Sequence, residues 1–292
     1  MSFSLEQLKA FVATVEAGSF SAAARKLGKA QSVISIAVSN LEIDLGNELF
    51  VRSGRYPVLT PAGERLLVEA QVILDRCEYF KGVAQNLEEG VEQRLVIAVD
   101  ELYPKMRLGT LLEGFSHRFP SVELELLFPL MEDVSNLVLE NRADLGIMWR
   151  QEVLPSALNF YILGWVSLTL VCAPEHDLAK QSVNWEELKR YRQIMIATRN
   201  HSNEKTRLRV ASDVWWVESQ YAIVDLVQRN LGWALIPEHI VASALDKGYL
   251  VAPTLGFDDH DWPVALELIW HKQRSLGKAA TWLKSTVIAL NK

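Results

Sequence analysis

Ser19-Phe-Ser-Ala-Ala-Ala-Arg-Lys-Leu27, Gln31-Ser-Val-Ile-Ser-Ile-Ala-Val-Ser-Asn-Leu-Glu42 and Leu49-Phe-Val-Arg-Ser-Gly-Arg55 decide the fold of the N-terminal part of this chain. Gly18 followed by Ser19 supplies a helix stop and a fresh N-cap, and Gly28 closes the short helix between them. Phe20, Ala23, Ala24 and Leu27 recur at helical spacing and mark its buried face. In the next segment Ile34, Val38, Leu41 and Leu45 form the buried stripe, which leaves Ser32, Ser35, Ile36 and Ser39 together on the opposite face. Arg52 and Arg55 flank Ser53-Gly54 in a tight turn, as in a basic hairpin. Two short helices joined by a tight turn and followed by such a hairpin read as a winged helix-turn-helix. The second helix of that motif enters a DNA major groove, and the wing meets phosphate or the minor groove. Double-stranded DNA is therefore the first partner expected.

Working outward, Leu5, Leu8, Val12 and Val15 form a preceding amphipathic helix. On the other side, Thr60-Pro61 is a good N-cap and N1 pair for a long helix. In that helix Leu66, Ala70, Ile73, Cys77, Phe80, Ala84 and Leu87 alternate steps of four and three, the pattern of a coiled-coil seam. A lone helix cannot bury such a stripe, so it either packs on its own domain or pairs with a second copy, and three heptads favour pairing. Cys77 on this seam is read as a packing residue, with redox sensing as the alternative.

After Glu88-Glu89-Gly90 the pattern changes to strands alternating with helices. Strands are expected at Leu95 to Val99, Val122 to Phe128 and Leu145 to Trp149, with helices from Lys105 to Phe119 and Glu132 to Asn141. A second series follows: strand Ser167 to Ala173, helix Trp185 to Tyr191, strands Gln193 to Thr198 and Val214 to Glu218, helix Ser219 to Asn230, strand Trp233 to Pro237, and a last helix from Leu276 to Leu290. Repeated β-α-β units imply a mostly parallel sheet with ligands bound beyond its strand ends.

The bulk properties fit such a chain. Its 292 residues allow two or three domains, and 49% hydrophobic with 23% charged residues is the composition of a folded, soluble protein. The absence of a bilayer-length apolar run and of a signal-peptide core makes a cytoplasmic location the expectation. Cys77 and Cys172 are far apart and suggest neither a disulfide framework nor a zinc site. A net charge of −6 argues against coating nucleic acid by charge alone. In the first sixty residues Lys9, Arg25, Lys26, Lys29, Arg52 and Arg55 stand against Glu6, Glu16, Glu42, Asp44 and Glu48, so DNA binding must rest on placement, with the acids turned away.

The whole chain resembles the LysR-type transcriptional regulators. The resemblance is carried by Leu5 to Ala17, the Ala-Ala-Arg-Lys-Leu of the second helix, Gln31, Ser35, Leu41-Glu42, Leu45-Gly46, Leu49-Phe50, Arg52, Arg55 and Leu59-Thr60-Pro61-Ala62-Gly63, in the family's order and spacing. It implies a winged helix-turn-helix over residues 1–60, a dimerising linker helix over 61–90 and a periplasmic-binding-protein-like α/β effector-binding domain over 91–292. That domain would consist of subdomain I (about 91–163 and 266–292) and subdomain II (about 164–265), joined by two crossing strands, the second near Val264 to Trp270. It further implies antiparallel pairing of linker helices, a homotetramer built from dimers, contact with RNA polymerase and no cofactor. The chain departs from the family at Ile36 and Ala37, where an Arg or Gln pair is usual, and at Ala30, which replaces the N-cap serine. Lys29, Gln31, Ser32, Ser35, Ile36, Ser39, Arg52 and Arg55 are the expected DNA contacts. Ile36 meets a thymine methyl on one reading, and packs inside the domain or on the linker helix on the other.

Family effector sites lie in the cleft at strand ends and helix N-termini. The matching positions are Asp100, Glu101, Met131, Trp149 and Arg150, Thr198, Arg199, Asn200, and Glu218 with Ser219. Two carboxylates stand where Ser or Thr is common, which leaves two readings open. Either the effector's cationic group meets Asp100 or Glu101, or these acids point outward and Arg199 binds an acidic effector. Trp149 is expected either to stack on the ligand or to belong to the core.

The rival class is an enzyme or solute binder on the same scaffold, but G-x-G-x-x-G, P-loop, G-x-S-x-G and H-E-x-x-H motifs are absent. Asp258-Asp259-His260-Asp261 reads as a solvated loop, since four consecutive residues cannot all face one ion, and His201 has no identifiable partner for acid-base work. A regulator that answers to protein contacts without a small molecule is a third reading. A cleft filled by Trp149 and Met131 would favour it, and a hydrated one lined by Thr198 and Arg199 would favour a metabolite.

Overall fold

The computed structural model describes residues 3–51, 57–198, 208–256 and 262–291. The chain divides into two compact units, Met1–Gln85 and Asn86–Lys292.

The first unit begins with α1 (Leu5–Ala17), α2 (Phe20–Leu27) and α3 (Gln31–Leu45), followed by β1 (Phe50–Val51), β2 (Val58–Leu59) and α4 (Pro61–Glu89), which runs on into the second unit. The helix ends follow the local chemistry. Ser4 and Ser19 cap α1 and α2 through their side chains, and Gly18 and Gly28 close them at φ 70° and 63°, which a β-carbon would oppose. Ala30 gives α3 no side-chain cap. Leu8, Phe11, Ala23, Ala24, Ile34, Val38 and Leu41 make one core with Leu49 and Phe50, and Phe50 meets Phe11 and Phe20 edge-on with ring centroids 5.6 Å apart in both pairs. Glu42 holds the start of the hairpin, accepting from the Leu49 and Phe50 amides at 2.8 and 3.2 Å. Gly63 lies so close to this turn that a β-carbon would sit 2.1 Å from the Leu49 carbonyl oxygen.

Helix α4 differs from the single seam its heptads suggest. Ala70 is buried in the core of the unit, and Leu66, Leu67 and Leu74 pack against that core. Ile73, Phe80 and Leu87 are exposed, Phe80 by 72%. Ala84 is also exposed and Cys77 partly so. The first turns of the helix therefore complete the domain's own core. Leu66 and Ala70 are corrected from seam to intradomain packing, because an unbroken heptad cannot distinguish two neighbours that lie on successive stretches of one face.

The second unit contains β3 (Arg94–Val99), α5 (Lys105–Arg118), β4 (Glu123–Leu127), α6 (Glu132–Leu139), β5 (Leu145–Trp149), β6 (Leu158–Val171), a 3₁₀ turn (Asp177–Lys180), α7 (Trp185–Arg190), β7 (Gln193–Ile196), β8 (Val214–Val217), α8 (Gln220–Gln228), β9 (Ala234–Pro237), α9 (Glu238–Asp246), β10 (Trp262–His271) and α10 (Lys278–Leu290). The main sheet has the order β4-β3-β5-β10-β6-β9. Strands β3, β4 and β5 pair in parallel, while β10 runs antiparallel to both β5 and β6. The long pair β6 and β10 stays in register from Trp262 opposite Leu168 to His271 opposite Leu158, with one irregularity at Leu266/Glu267. It passes from a first half, where α5, α6 and α10 flank β3 to β5, into a second half built around β9, the parallel pair β7-β8, α8 and α9. Each half buries cores of its own: Leu95, Ile97, Leu145 and Ile147 in the first, Ile194, Ile223, Val227 and Ile236 in the second. Strand β6, expected from Ser167, begins nine residues earlier at Leu158, and α9 has no counterpart among the expected elements.

Candidate functional site

On the first unit the face of α3 opposite the core carries Gln31, Ser32, Ser35, Ile36 and Ser39, all exposed, while Ile34, Val38 and Leu41 are buried to 2% or less. Ile36 is 59% exposed, so it packs neither inside the domain nor on α4. Val33 and Ile43, which periodicity did not single out, are exposed by 49% and 74%. Three acids ahead of the hairpin are taken up locally. Glu6 pairs with Lys29 and Lys9, Glu16 with Lys26 at 2.7 Å, and Asp44 accepts from the Gln7 side chain at 3.0 Å. With Glu42 turned onto the hairpin amides, the carboxylates of Glu6, Glu16, Glu42 and Asp44 are engaged within the unit, and Glu6 and Glu16 between them hold three lysines in exposed ion pairs. Lys29, expected at the phosphates, is one of them. Arg52 and Arg55 lie outside the described residues.

The second unit holds the other candidate site, at the C-terminal ends of β3, β5 and β7. Asp100 follows β3 and is 3% exposed. The Leu102 amide donates to its Oδ1 at 2.9 Å and the Met131 amide to its Oδ2 at 2.6 Å. Burial pushes its carboxyl up to about 6, assisted by the nearby charges of Glu101 and Glu132 and opposed by the two amides. Met131, the N-cap of α6, has φ 47° and ψ −123°, a conformation costly for a residue with a β-carbon. Asp100 is thus committed to holding the turn before α6. It does not point outward, and that reading of it is corrected: two amides hold the buried carboxylate, which also borders a hollow that it shares with Glu101.

Glu101, the next residue, reaches from the first half to the second. Its Oε2 accepts from the Gln220 amide at 2.6 Å, and Ser219, which caps α8, donates its hydroxyl to Glu101 Oε1 at 3.2 Å. A second contact runs the other way across the halves, from the hydroxyl of buried Thr198 to Glu132 Oε1 at 2.5 Å. Lys105 on α5 places its ammonium 3.8 Å from the centre of the Tyr221 ring on α8, and His239 on α9 lies against the Glu101 backbone. Glu132, Lys105, Tyr221 and His239 carry no motif in the sequence; only the tertiary fold brings them to Glu101 and Thr198.

Behind these contacts Met131, Trp149, Met195, Ile196, Leu208 and Leu235 line a cavity whose free volume is about 20 Å³, room for roughly one water molecule. Trp149 is 8% exposed and belongs to the core, with one edge on this cavity. A larger hollow of about 350 Å³ opens beside Glu101, between Tyr103, Leu108, Phe128 and Tyr221. Arg150 leans on the buried carboxylate of Glu267 at 3.4 Å. Cys172 is fully buried and its thiol is pushed up to about 11 by burial, which removes it from redox chemistry near neutrality. Arg199, Asn200, His201 and Asp258 to Asp261 lie outside the described residues. Among the described residues no cluster of His, Cys, Asp and Glu fits a metal ion, and no helix is long and apolar enough to cross a membrane.

Residues 5–64 match the model of the bacterial regulatory helix-turn-helix proteins of the lysR family, and residues 88–290 match that of the LysR substrate binding domain. The chain belongs to the LysR family of transcriptional regulators. This LysR-family chain is 31% identical over 285 residues to the HTH-type transcriptional regulator AceR of Acinetobacter baumannii, covering 97% of this chain and 96% of that one. It is also 31% identical over 261 residues to the HTH-type transcriptional activator AllS of Klebsiella pneumoniae, with coverage of 85% and 94%. Among solved structures it is similar to HinK, a LysR family transcriptional regulator from Pseudomonas aeruginosa, at 25% identity and a TM-score of 0.53, covering 99% of this chain and 98% of that one. The protein is a DNA-binding transcriptional regulator with a C-terminal effector-binding domain, and the enzyme reading falls away.

Proposed function

We propose that this regulator reads its DNA sites through the exposed face of α3 and that the cleft of the second unit governs how two reading heads are placed on DNA. The observation that carries the reading is the division of α3: Gln31, Ser32, Ser35, Ile36 and Ser39 face solvent together while Ile34, Val38 and Leu41 opposite them are buried. Hydroxyls and one amide suit base edges and phosphates, and Ile36 suits a thymine methyl. With three lysines held in exposed ion pairs, the phosphate grip is assigned to Arg52, Arg55, the exposed Arg25 and backbone amides. The exposed Ile73, Phe80 and Leu87 of α4 support pairing with a second copy, which gives the operator two-fold character. Assembly into a tetramer, contact with RNA polymerase and a cytoplasmic location follow the family's pattern.

In-vitro selection of fragmented genomic DNA by the purified protein, with footprinting at near-physiological salt, tests this. The expected result is enrichment of a few intergenic fragments carrying an interrupted palindrome. Recovery of fragments without any shared sequence would refute readout by α3. A second reading, a regulator answering to protein contacts alone, is favoured by the filled cavity between Met131 and Trp149. It predicts that no metabolite alters the footprint.

A further inference from the structure

The N-terminus of α8 faces the first half of the domain, and its free backbone N–H groups with the positive end of the helix dipole make it a carboxylate site by its chemistry. That position is filled by the protein itself. Glu101 Oε2 takes the Gln220 amide at 2.6 Å, its Oε1 takes the Ser219 hydroxyl, and Ser219 in turn accepts from the Ala222 amide at 3.5 Å. A carboxylate of the same domain, Glu92, caps α10 in a similar way through the Ala279 and Ala280 amides, but there both partners belong to the first half. Glu101 joins opposite halves and does not act alone, since Glu132 with Thr198 and Lys105 over Tyr221 span the same divide.

We propose that Glu101 is a tethered stand-in for a free carboxylate: it occupies the α8 N-terminus, holds the two halves of the domain together when no ligand is present, and excludes small acids from that end of the cleft. The proposal rests on the reading of this domain as ligand-controlled and specifies its regulation. An effector enters by a step in which the Glu101 contacts part, and any acidic group directed at α8 has to displace a carboxylate already in place. The cavity of about 20 Å³ behind the contacts fits this closed arrangement, and the hollow beside Glu101 gives solvent and small ions a route to it. Glu101 acts as a positioning and specificity residue, through α8.

The test is hydrogen exchange of the α8 amides in the full-length protein, comparing the wild type with Glu101→Ala and the near-isosteric Glu101→Gln, each with and without acetate. Acetamide and chloride at matched ionic strength are the controls. A hydrogen bond to a charged acceptor is worth enough to change opening roughly tenfold to hundredfold. Exchange at Gln220 to Ala222 should therefore rise by about that factor in Glu101→Ala and by less in Glu101→Gln, whose remaining carbonyl oxygen still accepts without the charge. Acetate should slow it again in Glu101→Ala, where the carboxylate's space is vacated, while acetamide and chloride do not. In the wild type acetate should change nothing. Exchange that is unaltered by both substitutions, or faster exchange in Glu101→Ala that acetate fails to slow, would overturn the proposal. So would equal protection of wild type and variant by acetate, because the helix end would then be open in the wild type. Glu101→Gln keeps the side-chain volume and guards against a simple folding defect in Glu101→Ala. If exchange behaves as expected but the DNA footprint is the same for every variant, the latch stands and ligand control of DNA binding falls.

Discussion

Asp100 illustrates how a residue's neighbours overrule its type. Its carboxyl, raised from the usual 3.8 to about 6 mainly by burial, binds a proton more tightly in the folded chain than in the unfolded one. For a group shifted in this direction the stabilising contribution is full below pH 3.8 and is lost as pH rises through about 6, a difference of about 3 kcal/mol. Asp100→Asn keeps one accepting oxygen, sets an NH₂ group against one of the two amides and does not titrate. Its destabilisation relative to the wild type should be larger at pH 4.5 than at pH 7.5, as measured by urea unfolding at both pH values. A deficit of the same size at both would mean that Asp100 titrates as an ordinary carboxylate. The strained backbone of Met131 depends on the same group, since its amide is one of the two donors.

At the scale of elements, α4 serves two neighbours in succession. Leu66, Leu67, Ala70 and Leu74 close the helix-turn-helix core, and beyond them Phe80 and Leu87 stand in solvent. Leu74→Ala should therefore lower the stability of the N-terminal unit by about 2 kcal/mol, because it deletes packed methyl groups. Phe80→Glu should leave that stability within about 0.5 kcal/mol, as an exposed position permits, yet dissociate the dimer. Thermal unfolding and sedimentation velocity on both variants separate the two effects. If Phe80→Glu sediments as the wild type does, the exposed stripe of α4 does not form the dimer interface. Helix α3 has the same two-sidedness, and there the sequence period assigned both faces correctly because a single core lies along the whole helix.

For the whole molecule, DNA affinity and DNA choice should separate. Arg52→Ala or Arg55→Ala should weaken binding to all sequences alike and reduce the salt slope by about one for each phosphate that is no longer neutralised. Ile36→Ala should alter which sequences are preferred, with a change of about 1–3 kcal/mol at the affected base pair. Salt-titrated binding to a selected site and to a scrambled one measures both, and unchanged affinity of the arginine variants would remove the wing from the interface. A net charge of −6 gives the molecule no general attraction for nucleic acid, so the contribution of each placed cation should be visible above the background.

Periodicity in the sequence was sufficient for the order and type of most elements, because burial of one face imposes a period of 3.6 on a helix and 2 on a strand whatever the partner. The stretch from Ser19 to Leu45 and the strand Leu145–Trp149 are cases where turn glycines and apolar spacing left little choice. A period specifies a face and leaves the occupant of that face open. Whether Ala70 meets a second copy or its own domain, whether Asp100 points outward or meets two amides, and whether the end of α8 awaits an acid or already holds Glu101 were decided by contacts between segments distant in sequence, up to 119 residues in the case of Glu101. Hydrogen bonds and charge pairs at such separations leave no periodic trace in the chain; they exist only once packing has brought the segments together.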